Sequence, residues 1–322
     1  MASAPILTKE QKELLSELEP ALRSCVKLAD CENAEIIIHR IQKILRPTGH
    51  ITRLLQAKNW YYECALESGQ IEFAISGFTG TMKKSAPTTR LHLEALTLLG
   101  ICYLRKKDIL NAKLYIQKAI VKINNITSND RRRQFHKRFI ERLEEESILV
   151  GLVNLGIANA NDEQLQIDEV QRKAVHLLTT KSEHELLEDV GNMVPKQSVD
   201  LFEGIRDFSI NLLPYQDKKF LPPPAEVKKP IELGKRAAGA IKRVAWRAVC
   251  DPKSEIYKAW SQGLSVAYDK RYITAAVVGV CKSWKITATM LVASIVAIIM
   301  KFTAAVFCEM FSPQPIMIHR SE

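Results

Sequence analysis

Seven cysteines and seven histidines are the side chains here best suited to nucleophilic, acid–base or metal chemistry. The cysteines are Cys25, Cys31, Cys64, Cys102, Cys250, Cys281 and Cys308; the histidines are His39, His50, His92, His136, His176, His184 and His319. No CxxC pair occurs, and no histidine stands at a metal-like spacing from a cysteine or carboxylate. His184 and Glu185 are adjacent, so they project from different helix faces. His39 lies in an apolar helical pattern and suits a core position. Cys102 with His92 stays open as a nucleophile and base, because folding can join distant residues. The chain lacks a Gly-rich phosphate loop, HExxH and GxSxG. The expectation is a protein that is not an enzyme and holds no cofactor or metal.

A second cluster, Arg131, Arg132, Arg133, Lys137 and Arg138, has the chemistry to hold phosphate or RNA. It sits beside Glu141, Glu144, Glu145 and Glu146 without an aromatic platform, which favours a solvated helix face. Its place at a helix start runs against the dipole, an inconsistency that a ligand would explain.

The elements that must position these groups are helical. Glycine is scarce, and β-branched runs are few outside the C-terminus. In "LEALTLLGICYLRKKDILNAKLYIQKAI", Leu96, Leu99, Gly100 and Tyr103 share one helical face. Asp108 marks a break, and Ala112, Ile116 and Ala119 share a face of the next helix. Small Gly100 and Ala112 fall where the two helices approach; Tyr103 and Ile116 fill the groove between turns. The preceding segment places Tyr61, Tyr62 and Ala65 on a first helix, Gly69 at the turn, and Ala74 and Phe78 on a second. Further back come Leu22, Cys25, Ala34, Ile38, Ile41 and a stop at Pro47.

Leu99, Gly100, Tyr103, Ala112, Ile116 and Ala119 match the tetratricopeptide repeat in type and spacing, and the segment resembles that family. It departs at the end, where Asn124 and Asn125 replace the frequent proline. Ala34, Ala74 and Ala112 lie 40 and 38 residues apart, against a family period of about 34, so the two earlier repeats are degenerate and more widely spaced. The resemblance implies an all-α solenoid over residues 1–213 whose first helices line a groove for a partner peptide or helix. Arg90, Lys106, Lys107, Trp60 and Tyr61 are groove candidates, the two aromatics also suiting the core. The competing reading is an irregular helical bundle. Phe135, Phe139, Leu143 and Leu149 form an apolar stripe, and helices over 168–179, 183–193 and 197–213 would cap the array.

Residues 214–230 carry five prolines and read as a linker. Between Lys218 and Lys285, fifteen Lys or Arg face five acids, an excess equal to the whole formal charge of +10. Within 231–322, "IELGKRAAGAIKRVAWRAVC" reads as a basic amphipathic helix. Leu233, Ala237, Ile241 and Val244 run along one side; Lys235, Arg236, Lys242, Arg243 and Arg247 are candidates to meet anionic lipid. A further helix is expected after Asp251, carrying Ile256, Trp260 and Leu264. Residues 286–308 are uncharged except for Lys301. One helix of that length is about 34 Å long, enough to cross a bilayer core of about 30 Å.

These features give the expectation of a non-enzymatic scaffold: a tetratricopeptide-like groove binds a protein or peptide, and a C-terminal transmembrane helix holds it at the membrane. With no N-terminal signal core, and with scattered, odd-numbered cysteines expected as free and mostly buried thiols in a reducing compartment, the body is expected in the cytoplasm. Nucleic acid is a disfavoured partner. Two alternatives stay open: an adaptor whose C-terminal helices form a buried core or oligomer interface, and a regulated membrane-active effector with the solenoid as sensor.

Overall fold

A computed structural model describes residues 5–158, 165–219, 221, 229–261, 270–284, 286–302 and 304–313. These form sixteen α-helices and one 3-10 turn, with no strand among the described residues. The chain is all-α, compatible with a helical-repeat array. Two compact units are present: Met1–Phe139 with Phe208–Pro214, and Ile140–Asp207 with Tyr215–Pro313. The second takes in residues 140–207 as well as the C-terminal helices, a different partition from the expected 1–213 and 231–322. Of the proline-rich segment, residues 220 and 222–228 lie outside the described residues.

In the first unit, α1 (Lys9–Leu28), α2 (Cys31–Leu45), α3 (Ile51–Glu67), α4 (Ile71–Lys84), α5 (Arg90–Arg105) and α6 (Ile109–Val121) pack mainly on near neighbours in sequence. Four of the turns share one geometry. Ala29, Gly49, Gly69 and Lys107 all have positive φ, at 52°, 70°, 88° and 67°. Each N–H bonds the carbonyl three residues back: Val26, Arg46, Leu66 and Leu104. The next N–H, from Asp30, His50, Gln70 or Asp108, reaches Cys25, Leu45, Ala65 or Tyr103. This double bond pattern is the Schellman stop, which satisfies two orphan carbonyls. Gly69 takes the left-handed conformation without a Cβ clash. The residue after each stop begins the next helix, its carbonyl accepting from the N–H of Ala34, Leu54, Ala74 or Ala112. Asp30 and Asp108 add a side-chain cap, each accepting from the backbone and side-chain amides of Asn33 or Asn111.

The small residues permit close packing. Ala34, Ala74 and Ala112 are fully buried, as are Leu99, Ile116, Ala119 and Phe78. A Cβ on Gly100 would lie 3.1 Å from Ile116 Cγ1, so α5 and α6 approach at Gly100. Tyr103 is only half-buried and stacks on Tyr115, ring centroids 5.2 Å apart.

The second unit contains the later part of α7 (Asn129–Ala158), most of α10 (Lys196–Asn211), and all of α8 (Ile167–Thr180) and α9 (Glu183–Asn192). It also holds α11 (Tyr215–Lys218), α12 (Pro230–Cys250), α13 (Glu255–Ser261), α14 (Lys270–Ser283), α15 (Thr289–Met300) and α16 (Ala304–Met310). Helices α8, α9 and α10 match the expected 168–179, 183–193 and 197–213. Helix α13 realises the one expected after Asp251, although Leu264 lies outside the described residues.

The expected membrane span is corrected here. Among the described residues no helix is long and apolar enough to cross a membrane. The run 286–308 is not one helix: α15 has twelve residues and ends at Lys301, and α16 has seven. At 1.5 Å per residue α15 is about 18 Å long, well short of a bilayer core. Its end is tightened by Lys301 N–H to Ile298 O and Phe302 N–H to Ile299 O. The Lys301 ammonium donates to Lys181 O at 2.9 Å. Leu291 through Ile299 are buried on every side, with α8, α9, α14 and α12 as neighbours. An all-round apolar helix needs such wrapping wherever it is not in lipid.

Candidate functional site

Each helix of the N-terminal unit divides into a packed face and an outer face. Helix α5 has little outer face, since all its residues except Arg90, His92 and Tyr103 are buried. Its polar residues therefore point into the protein. The Glu94 carboxylate accepts from Gln56 Nε2 at 2.7 Å and Asn59 Nδ2 at 3.4 Å. The Arg105 guanidinium donates to Leu66 O at 2.6 Å and pairs with Glu67 at 3.2 Å. Of the groove candidates, Trp60 is buried beneath the Arg23 guanidinium, 5.1 Å from its ring. Lys106 pairs with Glu72 at 2.7 Å, and Lys107 occupies a turn at positive φ.

Burial raises the Glu94 carboxyl above its usual value, against the pull of Gln56, Asn59 and Arg90. The folded chain therefore binds this proton more tightly than the unfolded chain does. Stability from this group is fully present below the ordinary value of 4.5 and falls as pH rises towards the raised one. Glu94→Gln keeps the acceptor for Gln56 and Asn59 and removes the charge. It should raise the thermal midpoint at pH 7, with the gain shrinking as the pH is brought below 4.5; thermal melts across pH check this.

Most of the large apolar side chains exposed on this unit's helices lie on the second helices, Ile51 on α3 being on a first helix. Ile36 on α2, Phe73 on α4, and Leu110, Leu114 and Val121 on α6 are exposed, Leu110 by 82%. On α6 positions 110, 114, 117 and 121 follow an i, i+4, i+7, i+11 course, which is one helix face. They are Leu, Leu, Gln and Val. Lys113 and Lys118 flank this stripe, Lys122 follows it, and α6 contains no acid. Sequence reasoning misses this stripe because the repeat pattern directs attention to the first helices; the signal is two apolar residues off the packing period.

The other candidates are placed as follows. His92 and Cys102 lie on the same helix ten residues apart, about 15 Å along its axis, so they form no nucleophile–base pair. His92 Nδ1 instead lies 3.1 Å from Met82 O and 3.3 Å from Ser85 Oγ. No group of three His, Cys, Asp or Glu able to hold a metal occurs among the described residues. In the basic cluster, Arg132 donates to Asn129 Oδ1 at 2.7 Å and Arg133 lies 3.9 Å from Asp130.

Of the basic residues assigned to a lipid surface, Arg236, Lys242 and Arg243 are engaged within their own unit, whereas Lys235 is exposed. Helix α12 is central to its unit, with Leu233, Ala237 and Ile241 among many buried side chains. Arg236 Nε donates to Glu144 at 2.8 Å, and Arg206 also donates to Glu144. Arg243 bridges Glu145 at 2.5 Å and Glu146 at 2.9 Å. Lys242 is buried, with its ammonium 4.0 Å from the Phe311 ring centre; desolvation lowers its pKa, against Glu183. Lys235 pairs with Glu232 at 2.5 Å, and Arg247 is half-buried. The expectation that all seven cysteines are thiols is also corrected: Cys250 and Cys308 form a disulfide joining α12 to α16, and the other five are outside any disulfide. The sequence could not pair them, since 58 residues separate them. Compared with protein-family models, curated proteins and solved structures, the chain shows no match in any of the three.

Proposed function

We propose that the chain is a non-enzymatic interaction adaptor. Its N-terminal unit is a tetratricopeptide-like array, and its C-terminal helices wrap a buried apolar core. The repeated stop-and-start turn supports the array, together with a buried alanine four residues past the cap at Ala34, Ala74 and Ala112. The Gly100–Ile116 approach adds to it, being the contact that the repeat pattern requires.

The observation that carries a binding role is the exposed stripe Leu110, Leu114, Val121 with its lysine flanks. An apolar ridge of this spacing accepts the apolar face of a partner helix. The lysines select acids at that helix's rim. The proposed occupant is therefore an acidic amphipathic helix of a partner protein, docked on α6 rather than along the first helices.

The test is to pan the full-length protein against displayed helical peptides. Enriched peptides should carry Asp or Glu beside an i, i+4, i+7 apolar stripe. The double variant Leu110→Lys, Leu114→Lys should bind them at least about tenfold more weakly, the loss of roughly one contact of 1.4 kcal/mol. Equal binding by the variant, or enrichment of basic peptides, overturns the assignment. Self-association of the wild type that the variant loses would reassign the face to a second copy of the chain.

A further inference from the structure

The sulfur atoms of Cys31 and Cys64 lie 3.5 Å apart, although 33 residues separate them. Cys31 is the first residue of α2 and is half-buried; Cys64 is fully buried on α3. The end of α1 completes the site, since Cys64 Sγ donates to Cys25 O at 3.2 Å. Cys31 Sγ also lies 3.1 Å from Ser68 Oγ, which donates to Ala65 O at 2.9 Å. Two thiols thus meet where α1, α2 and α3 converge, one reachable from solvent and the other behind it. Tyr61 stands beside both sulfurs; burial, then Glu35, Cys31 and Cys64, push its hydroxyl up to about 12. It therefore stays a neutral phenol while the thiols react.

We propose that Cys31 and Cys64 are a redox-active dithiol that takes a small disulfide, such as glutathione disulfide, as its oxidant. Cys31 is the attacking group because it is the accessible one, and the thiolate is the reactive form. Its proton passes to solvent, and its sulfur attacks one sulfur of the oxidant. That disulfide bond breaks, and one glutathione thiolate leaves and is protonated. The Cys64 thiol then loses its proton and attacks the Cys31 sulfur of the mixed disulfide, and the second glutathione leaves. Two protein thiols are oxidised and one disulfide is reduced to two thiols. Closing the bond needs the sulfurs to approach by about 1.5 Å, within reach of side-chain rotation. The product staples the first hairpin, through α2, to α3 of the second, and the cross-link restricts the unfolded chain. The inference is independent of the proposed docking face.

The test uses the full chain in glutathione buffers of increasing oxidised fraction, quenched with iodoacetamide and mapped by peptide mass spectrometry. The expected result is a Cys31–Cys64 linked peptide, lighter by two hydrogens, that accumulates with the oxidised fraction while the protein stays folded by circular dichroism. The thermal midpoint should rise with it. Cys31→Ser should abolish both changes and leave Cys64 unmodified. Cys64→Ala should arrest at the Cys31 glutathione adduct. Should the buried variant fail to fold, Cys31→Ser decides the matter alone, because Cys31 is half-buried. The proposal is overturned if the folded wild type yields no linked peptide at the most oxidising ratio, or if the link forms only in denaturant.

Discussion

Glu144→Ala should destabilise the C-terminal unit by about 3–5 kcal/mol, the usual cost of breaking a buried ion pair from one side. Glu144 is 1% exposed and holds two guanidiniums, Arg206 from α10 and Arg236 from α12. Arg206 is itself 3% exposed, so the alanine variant leaves its charge buried without this carboxylate. Burial raises the Glu144 carboxyl, against the pull of Arg236 and Arg206. That direction means that desolvation offsets much of the attraction, so the intact pair adds little net stability. A triple replacement of Glu144, Arg206 and Arg236 by Leu or Met should therefore cost far less than Glu144→Ala alone. Urea unfolding followed by tryptophan fluorescence checks both, because Trp246, Trp260 and Trp284 lie in this unit and only Trp60 in the other. A triple variant as unstable as the single one would show that the arginines hold the helices by packing rather than by charge.

Gly234→Ala should destabilise the same unit by up to about 3 kcal/mol, the upper end for overpacking. The two helices α9 and α12 meet backbone to backbone. A Cβ on Gly234 would fall inside the contact radius of Leu187 O and lie 3.1 Å from Gly191 N. One on Gly191 would collide with Pro230 O in the same way. A carbonyl cannot swing aside as a side chain can, so the helices must separate. That loosens α15, which packs on both. Intrinsic propensity points the other way, since Gly→Ala inside a helix gains about 1 kcal/mol. The sign of the change therefore decides between packing and propensity. A Cβ added at Gly204 on α10 or Gly279 on α14 would meet nothing within 4 Å. Alanine at either should stabilise by about 0.5–1 kcal/mol. Denaturation midpoints of the three variants make the comparison.

Much of the N-terminal unit can be read from its residues because its instructions are local. Asp108 and Asn111 mark a turn, Gly100 and Ala112 a close approach, and each acts within a few positions. The C-terminal unit is specified by pairs far apart in the chain. Arg236 and Arg243 resemble a basic surface because their glutamates, at 144 to 146, lie more than ninety residues earlier. Residues 286–308 resemble a single rod because hydropathy carries no signal for a turn that has neither glycine nor proline. Lys301 is that signal, and in the sequence it reads equally well as an interruption that a membrane would tolerate. The lysines of α6 and the two leucines beside them are plain in the sequence, but their outward placement depends on which face meets α5.

The turns after α1, α3 and α5 leave no spare residue, since the amide that closes one helix belongs to the residue that opens the next. Length variation has no place to be absorbed there. One added residue would rotate the following helix by about 100°, carrying Ala34, Ala74 or Ala112 off its contact. Evolution or engineering can lengthen this unit by whole hairpins, or between α4 and α5, where the stop at Ser85 is extended instead. The joints themselves are fixed in register.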